Sequence, residues 1–318
     1  MHKLAVLTSG GDASGMNAAI RAVVRTAIYR EMEVYGVHQG FAGLLNEELK
    51  AMTAGSVADI IHRGGTILQT SRSEEFRTGP GQAKAAAVLD KWGIANLVVI
   101  GGEGSLGGGC ELSKLGVNVV GIPATIDNDV PHTYSIGFDT AVNTVLGAIN
   151  RLRDTATSHG RIFIIEVMGR DCGEIALAAG LAGGAESVLI PEITPDLEQV
   201  INKIKQGIDR GKLHSIIIVA EGVYPALELK EIIEAKTHHD TRITILGHIQ
   251  RGGTPTGVDR IMASAMGKKA VDLICEGQGN VMVGGDRNRV YTVPLQDVVQ
   301  GSRVTDLSMY DMVGMLSI

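Results

Sequence analysis

Short apolar runs alternate with helical patterns along the whole chain, and this alternation limits the fold more than any other feature. Residues 4–8, 34–37, 97–100, 117–122, 162–167, 187–190, 216–220 and 243–246 read as strands. Residues 16–30, 81–92, 140–157, 173–181, 197–210 and 260–275 carry helical patterns between them. Such βαβ order implies mainly parallel sheets covered by helices on both faces. The 318 residues are enough for two domains or one large α/β unit. No repeat, low-complexity tract or obvious linker marks a boundary, so one is expected in an ordinary loop, with Phe138 and Asp139 as a candidate place.

The polar stretch after residues 117–122 is Pro123-Ala124-Thr125-Ile126-Asp127-Asn128-Asp129. If it leaves the strand extended, Thr125, Asp127 and Asp129 point the same way, because strand side chains alternate. Two carboxylates and a hydroxyl would then share a small volume at the carboxyl end of a strand, where open α/β sheets bind ligands. Carboxylates that close call for a cation, a positive side chain or a shared proton. The alternative is an Asx-rich turn that satisfies its own backbone.

Two Gly-rich turns follow other strands. The first is Thr8-Ser9-Gly10-Gly11-Asp12-Ala13-Ser14-Gly15-Met16-Asn17, leading into a helix. Glycine there lets backbone amides approach an anion, and a helix N-terminus favours negative charge. The turn is neither a Walker A loop nor GxGxxG, which argues against a dinucleotide-dependent dehydrogenase. The second runs from Gly101 to Gly109 and carries Glu103 at its tip. A carboxylate beside phosphate-binding amides suits Mg²⁺, which takes one or two protein carboxylates and leaves its other positions to phosphate and water. Arg21 and Arg25 lie four residues apart on one helical face, as an anion clamp or as two solvated arginines. Arg72 sits in a polar stretch, Gln69-Thr70-Ser71-Arg72-Ser73, where a phosphate contact is plausible.

Net charge is −6 with no basic run, so nucleic-acid binding through a general cationic face is not expected. Cys110, Cys172 and Cys275 show neither metal spacing nor a disulfide framework. No signal peptide or membrane-length apolar run is visible, and a reducing, cytoplasmic setting is expected.

Together these loops resemble the three signature loops of bacterial ATP-dependent phosphofructokinases. The resemblance rests on Gly10-Gly11-Asp12 with Gly15-Met16-Asn17, on Gly101 to Ser105, and on Thr125 to Asp129. Glu166-Val167-Met168-Gly169-Arg170, Ala220-Glu221-Gly222 and Leu246 to Gly253 follow in the family's order. The resemblance runs from residue 3 to about residue 275. It implies two similar three-layer α/β/α domains with mainly parallel sheets. Residues 1–138 with about 252–303 would bind ATP, and residues 139–251 with about 304–318 would bind the sugar phosphate. It implies transfer of the γ-phosphoryl of ATP to the 1-hydroxyl of fructose 6-phosphate, with Mg²⁺ as cofactor. Asp127 would be the base, flanked by Thr125 and Asp129. Arg170 would contact the transferring phosphoryl or the sugar. Glu103 would take the magnesium position. Gly11, Arg72, Ser73, Gly102, Glu103, Gly104, Ser105 and Gly108 would hold ATP. Glu221, Met168 and Gly169 would line the sugar, and Arg161, Arg242, His248 and Arg251 would bind its phosphate. Arg161 and Arg242 correspond to positions that act across a subunit interface, which implies a homotetramer. A regulatory site for ADP or phosphoenolpyruvate would use Arg21, Arg25, Asp59, Arg153, Glu186, Arg210, Lys212 and His214.

The chain departs from the family pattern in places. Glu103 replaces the usual Asp and Ala124 the usual Gly; Ala would be strained if the backbone there needs a positive φ. Ala54 and Leu213 stand where Arg and Lys are common, so effector control is expected in a weakened or altered form. Asp171 stands where many relatives have His, Asn or Tyr. Pyrophosphate-dependent relatives typically have Asp at the position of Gly104 and Lys at that of Ala124, so ATP is the expected donor. A catalytically impaired regulatory paralogue is the remaining alternative, suggested by Glu103 and Ala124.

Overall fold

The computed structural model describes residues 2–286 and 289–317. It divides into two compact units, Met1–Thr140 with Arg251–Arg303, and Ala141–Gln250 with Val304–Ile318. The first unit contains β1 (Lys3–Ser9), α1 (Met16–Tyr29), β2 (Glu33–Val37), α2 (Gly40–Leu45), β3 (Leu49–Ala51), α3 (Gly79–Lys91), β4 (Asn96–Gly101), α4 (Glu103–Lys114) and β5 (Asn118–Pro123). Helix α5 (Phe138–His159) starts there and continues into the second unit. The second unit holds β6 (Ile162–Val167), α6 (Glu174–Gly183), β7 (Ser187–Leu189), α7 (Leu197–Asp209), β8 (Ser215–Ala220), α8 (Ala226–Thr237) and β9 (Thr241–Ile245). The chain then returns to the first unit for α9 (Gly257–Cys275), β10 (Val281–Gly285), β11 (Val290–Pro294) and α10 (Leu295–Gln300), and ends with α11 (Ser308–Leu316) in the second.

The sheet of the first unit has seven strands in the order β11-β10-β5-β4-β1-β2-β3. Its middle is parallel, and β3 and β11 close the two edges antiparallel. The second sheet has four parallel strands in the order β7-β8-β6-β9. Both units are thus mainly parallel α/β, but their sheets differ in size. The central strands are buried, with Leu7, Leu97, Val99 and Val119 in one core and Ile164, Ile217 and Val219 in the other. Full burial of such a side chain contributes about 1.5–3 kcal/mol.

Strands β3, β10 and β11 and helices α2, α4, α8, α10 and α11 go beyond the sequence reading. Helix α4 corrects it. The sequence places residues 103–109 in a Gly-rich turn, since three successive glycines, Gly107 to Gly109, disfavour helix by about 1 kcal/mol each relative to Ala. Packing overrides that preference. A Cβ on Gly109 would sit 3.0 Å from the Val119 side chain, and one on Gly108 would sit 2.9 Å from the Phe41 and Phe76 rings. The glycines bring the helix close to the sheet and to the aromatic pair.

The start of α5 is held by a side chain distant in sequence. Asp259, fully buried in the first turn of α9, accepts hydrogen bonds from the Gly137 and Thr140 amides at 2.9 Å and from the Thr140 hydroxyl. Burial pushes its carboxyl above the usual carboxylate value, with the three hydrogen bonds pulling the other way. The native state therefore holds this proton more tightly than the unfolded chain. The stability contributed by this group falls as pH rises from the ordinary value of 3.8. Asp259→Ala is expected to cost about 3 kcal/mol, because it leaves buried donors without their acceptor. Urea unfolding checks this, and Asp259→Asn should lose the pH slope assigned to the carboxyl.

Candidate active site

In the first unit the register places three strand ends at one level. Ser9 of β1 pairs with Gly101 of β4, and Gly101 with Pro123 of β5. The segments that follow, from Gly10, Gly102 and Ala124, therefore leave the sheet side by side. The crevice lies where the connections from β1 and β4 run to opposite sides, the expected ligand position of an open parallel sheet.

A cavity of 630 Å³ opens there. It brings together Gly11, Arg72, Ser73, Gly102, Glu103, Gly104, Ser105 and Gly108 with Thr125, Asp127, Asp129 and Arg251. The segment after β5 is not simply extended, because Asn128 has φ 55° and the Asp127 amide donates to Thr125 Oγ1 at 3.2 Å. Both readings of this stretch thus hold in part. It is a turn, yet Ile126, Asn128 and Val130 are buried while Thr125, Asp127 and Asp129 line the cavity. Ala124 is fully buried without a left-handed φ, so the strain considered for it does not arise.

Helix α4 begins at Glu103, capped by Gly102. Amides in a first helical turn lack helical acceptors and face an anion with the positive end of the helix dipole. Glu103, Gly104 and Ser105 are thus both cavity wall and helix N-terminus. The first Gly-rich turn works differently. Its backbone at Ser9, Gly10 and Gly11 lines the cavity, but Met16 and Asn17 at the start of α1 are buried, and neither they nor Asp12 line it. Asn17 instead donates to the carbonyls of Arg63 and Gly64 and accepts from the Ile67 amide at 2.8 Å. The anion cradle expected at α1 is therefore only the strand-end turn.

Arg251, expected to bind the sugar's phosphate, falls in the first unit and lines this cavity. Its guanidinium lies where a Cβ on Gly11 would be, 2.4 Å from Nη1. Phe41, Phe76, Arg77, Gln82 and Glu111 complete one end of the cavity and were missed in the sequence. The Phe41 and Phe76 rings stack with centroids 3.9 Å apart. Only four phenylalanines occur in the chain, and their scarcity was the available signal.

The second unit repeats the arrangement. Val167 of β6 pairs with Ala220 of β8, and Glu166 with Ile245 of β9. Met168-Gly169-Arg170, Glu221-Gly222 and Gly247-His248 follow those strand ends. Gly169 has φ 136°, and Arg170, Glu221 and His248 are exposed. Arg161 and Arg242 both bond Asp240 Oδ2, at 2.7 and 3.1 Å. Partial desolvation works against ionisation of Asp240, but the two guanidinium groups outweigh it and hold the carboxyl below its usual range. The structure thus brings these two cations together on one carboxylate.

The positions expected for an effector divide between the units. Arg21, Arg25 and Asp59 are in the first, and Arg153, Glu186, Arg210, Lys212 and His214 in the second. Within the second unit, Glu186 pairs with Lys212 Nζ at 2.5 Å, and Arg153 donates to the Gly183 carbonyl. His214 Nδ1 lies 3.0 Å from Thr157 Oγ1. Burial pushes the His214 imidazole below its ordinary value; Glu186 opposes this, while Arg153 and Lys212 add to it. Arg210 and Leu213 are exposed. Among the described residues, no helix is long and apolar enough to cross a membrane.

Comparison with known proteins agrees with this geometry. Residues 3–274 match the family model described as phosphofructokinase. The chain is 56% identical to an ATP-dependent 6-phosphofructokinase of Natranaerobius thermophilus and 52% identical to that of Bacillus subtilis, each over the full length of both chains. It superposes on a phosphofructokinase structure from Saccharomyces cerevisiae with a TM-score of 0.88 and 35% identity, all of this chain covering 48% of the yeast one. A pyrophosphate-dependent phosphofructokinase from Marinobacter aquaeolei shares the fold, with a TM-score of 0.88 at 22% identity over 100% of this chain and 92% of its own. The chain belongs to the phosphofructokinase family.

Proposed function

We infer that the chain phosphorylates the 1-hydroxyl of fructose 6-phosphate with ATP. The observation that carries this is the cavity of the first unit, where the Gly10–Gly11 turn, the α4 terminus with Glu103, and Asp127 come from three strand ends at one level. Such a transfer needs positioning, charge neutralisation and removal of one proton. The amides of Gly11 and of Gly102 to Ser105, with Arg72, bind and orient the phosphates. The stacked Phe41–Phe76 pair beside Gly108 offers a flat apolar wall for the base. Asp127 accepts the proton of the hydroxyl, held in place by the turn that Thr125 closes. Arg170 is the cation for charge on the transferring phosphoryl or for the sugar, and Arg251 keeps its expected role toward the sugar's phosphate.

Mg²⁺ fits the donor set. Among the described residues no group of three or more His, Cys, Asp or Glu forms a metal cage. Glu103 and Asp129 nevertheless line the phosphate cavity, and Mg²⁺ needs only one or two protein carboxylates beside phosphate and water. When bound, the ion would neutralise phosphate charge. In the second unit, Met168, Gly169 and Glu221 would bind the sugar, and Arg161, Arg242 and His248 its phosphate. Action across a subunit interface, a homotetramer, a cytoplasmic setting, and ADP or phosphoenolpyruvate control through the Glu186–Lys212–His214 cluster belong to the same reading.

Room at Gly104 favours ATP over pyrophosphate. A Cβ there would meet nothing within 4 Å, and the residue lines the cavity. Gly104→Asp would put a carboxylate into that space, so the KM for ATP should rise roughly tenfold or more by like-charge repulsion. Initial rates with ATP and with pyrophosphate test this. Wild-type turnover with pyrophosphate alone would overturn the donor assignment.

A further inference from the structure

We propose that Gln250 is the positioning residue of the sugar side, its buried amide tying the turn that carries His248 to the strand end that carries Arg170. The inference rests on reading Met168 to Arg170 and His248 as sugar-binding positions.

The backbone connection between β6 and the segment after β9 ends where the Leu246 amide donates to the Glu166 carbonyl at 3.0 Å. Beyond that point the side chain of Gln250 takes over. Its Oε1 accepts from the Met168 amide at 3.3 Å, and its Nε2 donates to the Gly247 carbonyl at 3.0 Å. The residue is 1% exposed, so the amide is not itself a ligand contact. Both segments depend on such a tie, because each reverses at a left-handed glycine, Gly169 at φ 136° and Gly247 at φ 47°. On the other side of β6, the Glu221 amide donates to the Val167 carbonyl at 2.9 Å and Gly222 packs on the Arg170 backbone. Gln250 is the matching hold on the β9 side. A neutral group with one acceptor and one donor is required, since it must receive an N–H and offer one to a carbonyl.

That requirement makes Gln250→Glu a titratable test. A protonated carboxyl can donate to Gly247 and accept from Met168, as the amide does. An ionised one offers only acceptors, one of them facing the Gly247 carbonyl, and burial keeps its pKa high. Initial rates should be measured with fructose 6-phosphate and ATP from mildly acidic to mildly alkaline pH. Wild type at each pH corrects for titration of the sugar phosphate itself. Relative to wild type, the Gln250→Glu KM for fructose 6-phosphate should be near one in acid and rise about tenfold or more in alkali. The KM for ATP should stay within about twofold, since its cavity shares no partner with this side chain. Gln250→Leu should be impaired at every pH. Near-normal kinetics of Gln250→Glu in acid also show that this variant folds. A flat, near-wild-type ratio across pH, or an equal rise in the KM for ATP, overturns the proposal. Arg170→Ala, measured in parallel, separates the two levels. If it leaves kcat and the sugar KM unchanged, the reading of the sugar loop fails and the Gln250 inference with it. If it lowers kcat or raises the sugar KM while Gln250→Glu is flat, only the inference fails.

Discussion

Asp127→Ser should lower kcat on the order of a thousandfold, with little change in either KM. The size follows from the role. A sugar hydroxyl is a weak acid, and its proton must leave as the bond to phosphorus forms. A carboxylate placed to receive it acts mainly in the transition state, so its loss appears in kcat rather than in ground-state binding. The local structure supports a clean substitution. Asp127 is only partly buried, and the turn is held by Ile126, Asn128 and Val130, which are buried. Asn128 Oδ1 accepts from the Ser135 amide at 2.9 Å and keeps the turn closed. Serine at 127 should therefore leave the fold and the cavity in place. Initial rates over both substrates check this; an unchanged kcat would remove Asp127 from the role of base.

Gly222→Ala should also be damaging, although Gly222 bears no functional group. A Cβ at this position would lie 1.8 Å from the Arg170 carbonyl oxygen and 2.8 Å from its Cα. The obstacle is backbone, so a side-chain rotation cannot relieve it. One of the two strand-end segments must shift, and Arg170 shifts with it. A displacement of about 1 Å in a positioning group can cost roughly a hundredfold in rate. Turnover should fall by about that factor, while ATP binding in the first unit should persist, as nucleotide titration would report. Normal turnover would mean that Arg170 tolerates displacement and does not touch the transferring group or the sugar.

The sequence made the sheets legible because their central strands are buried on both faces and read as unbroken apolar runs, as in residues 97–100 and 216–220. It did not show β3, which has three residues at an edge, or β10, whose last two are Gly284 and Gly285. Helix α4 was hidden for a different reason. Its glycines are favoured by contacts with Val119 of the next strand and with Phe41 and Phe76, which are distant in sequence. The same limit applied to the cavity. Motifs after strand ends pointed to Gly102 to Ser105 and to Asp127, since register turns such motifs into neighbours. Phe41, Phe76 and Gln82 belong to no strand-end motif and come together only through packing. The motif of Arg251 continues from β9 of the second unit, whereas the residue itself folds with the first, so sequence order alone does not give its unit.

The most direct measurement is the initial rate of fructose 6-phosphate phosphorylation with ATP, with Mg²⁺ titrated, for wild type beside Asp127→Ser. The predicted result is ATP- and Mg²⁺-dependent formation of fructose 1,6-bisphosphate that falls on the order of a thousandfold in the variant while sugar-phosphate binding is retained. No turnover by the folded wild-type protein, or equal turnover by the variant, would contradict it.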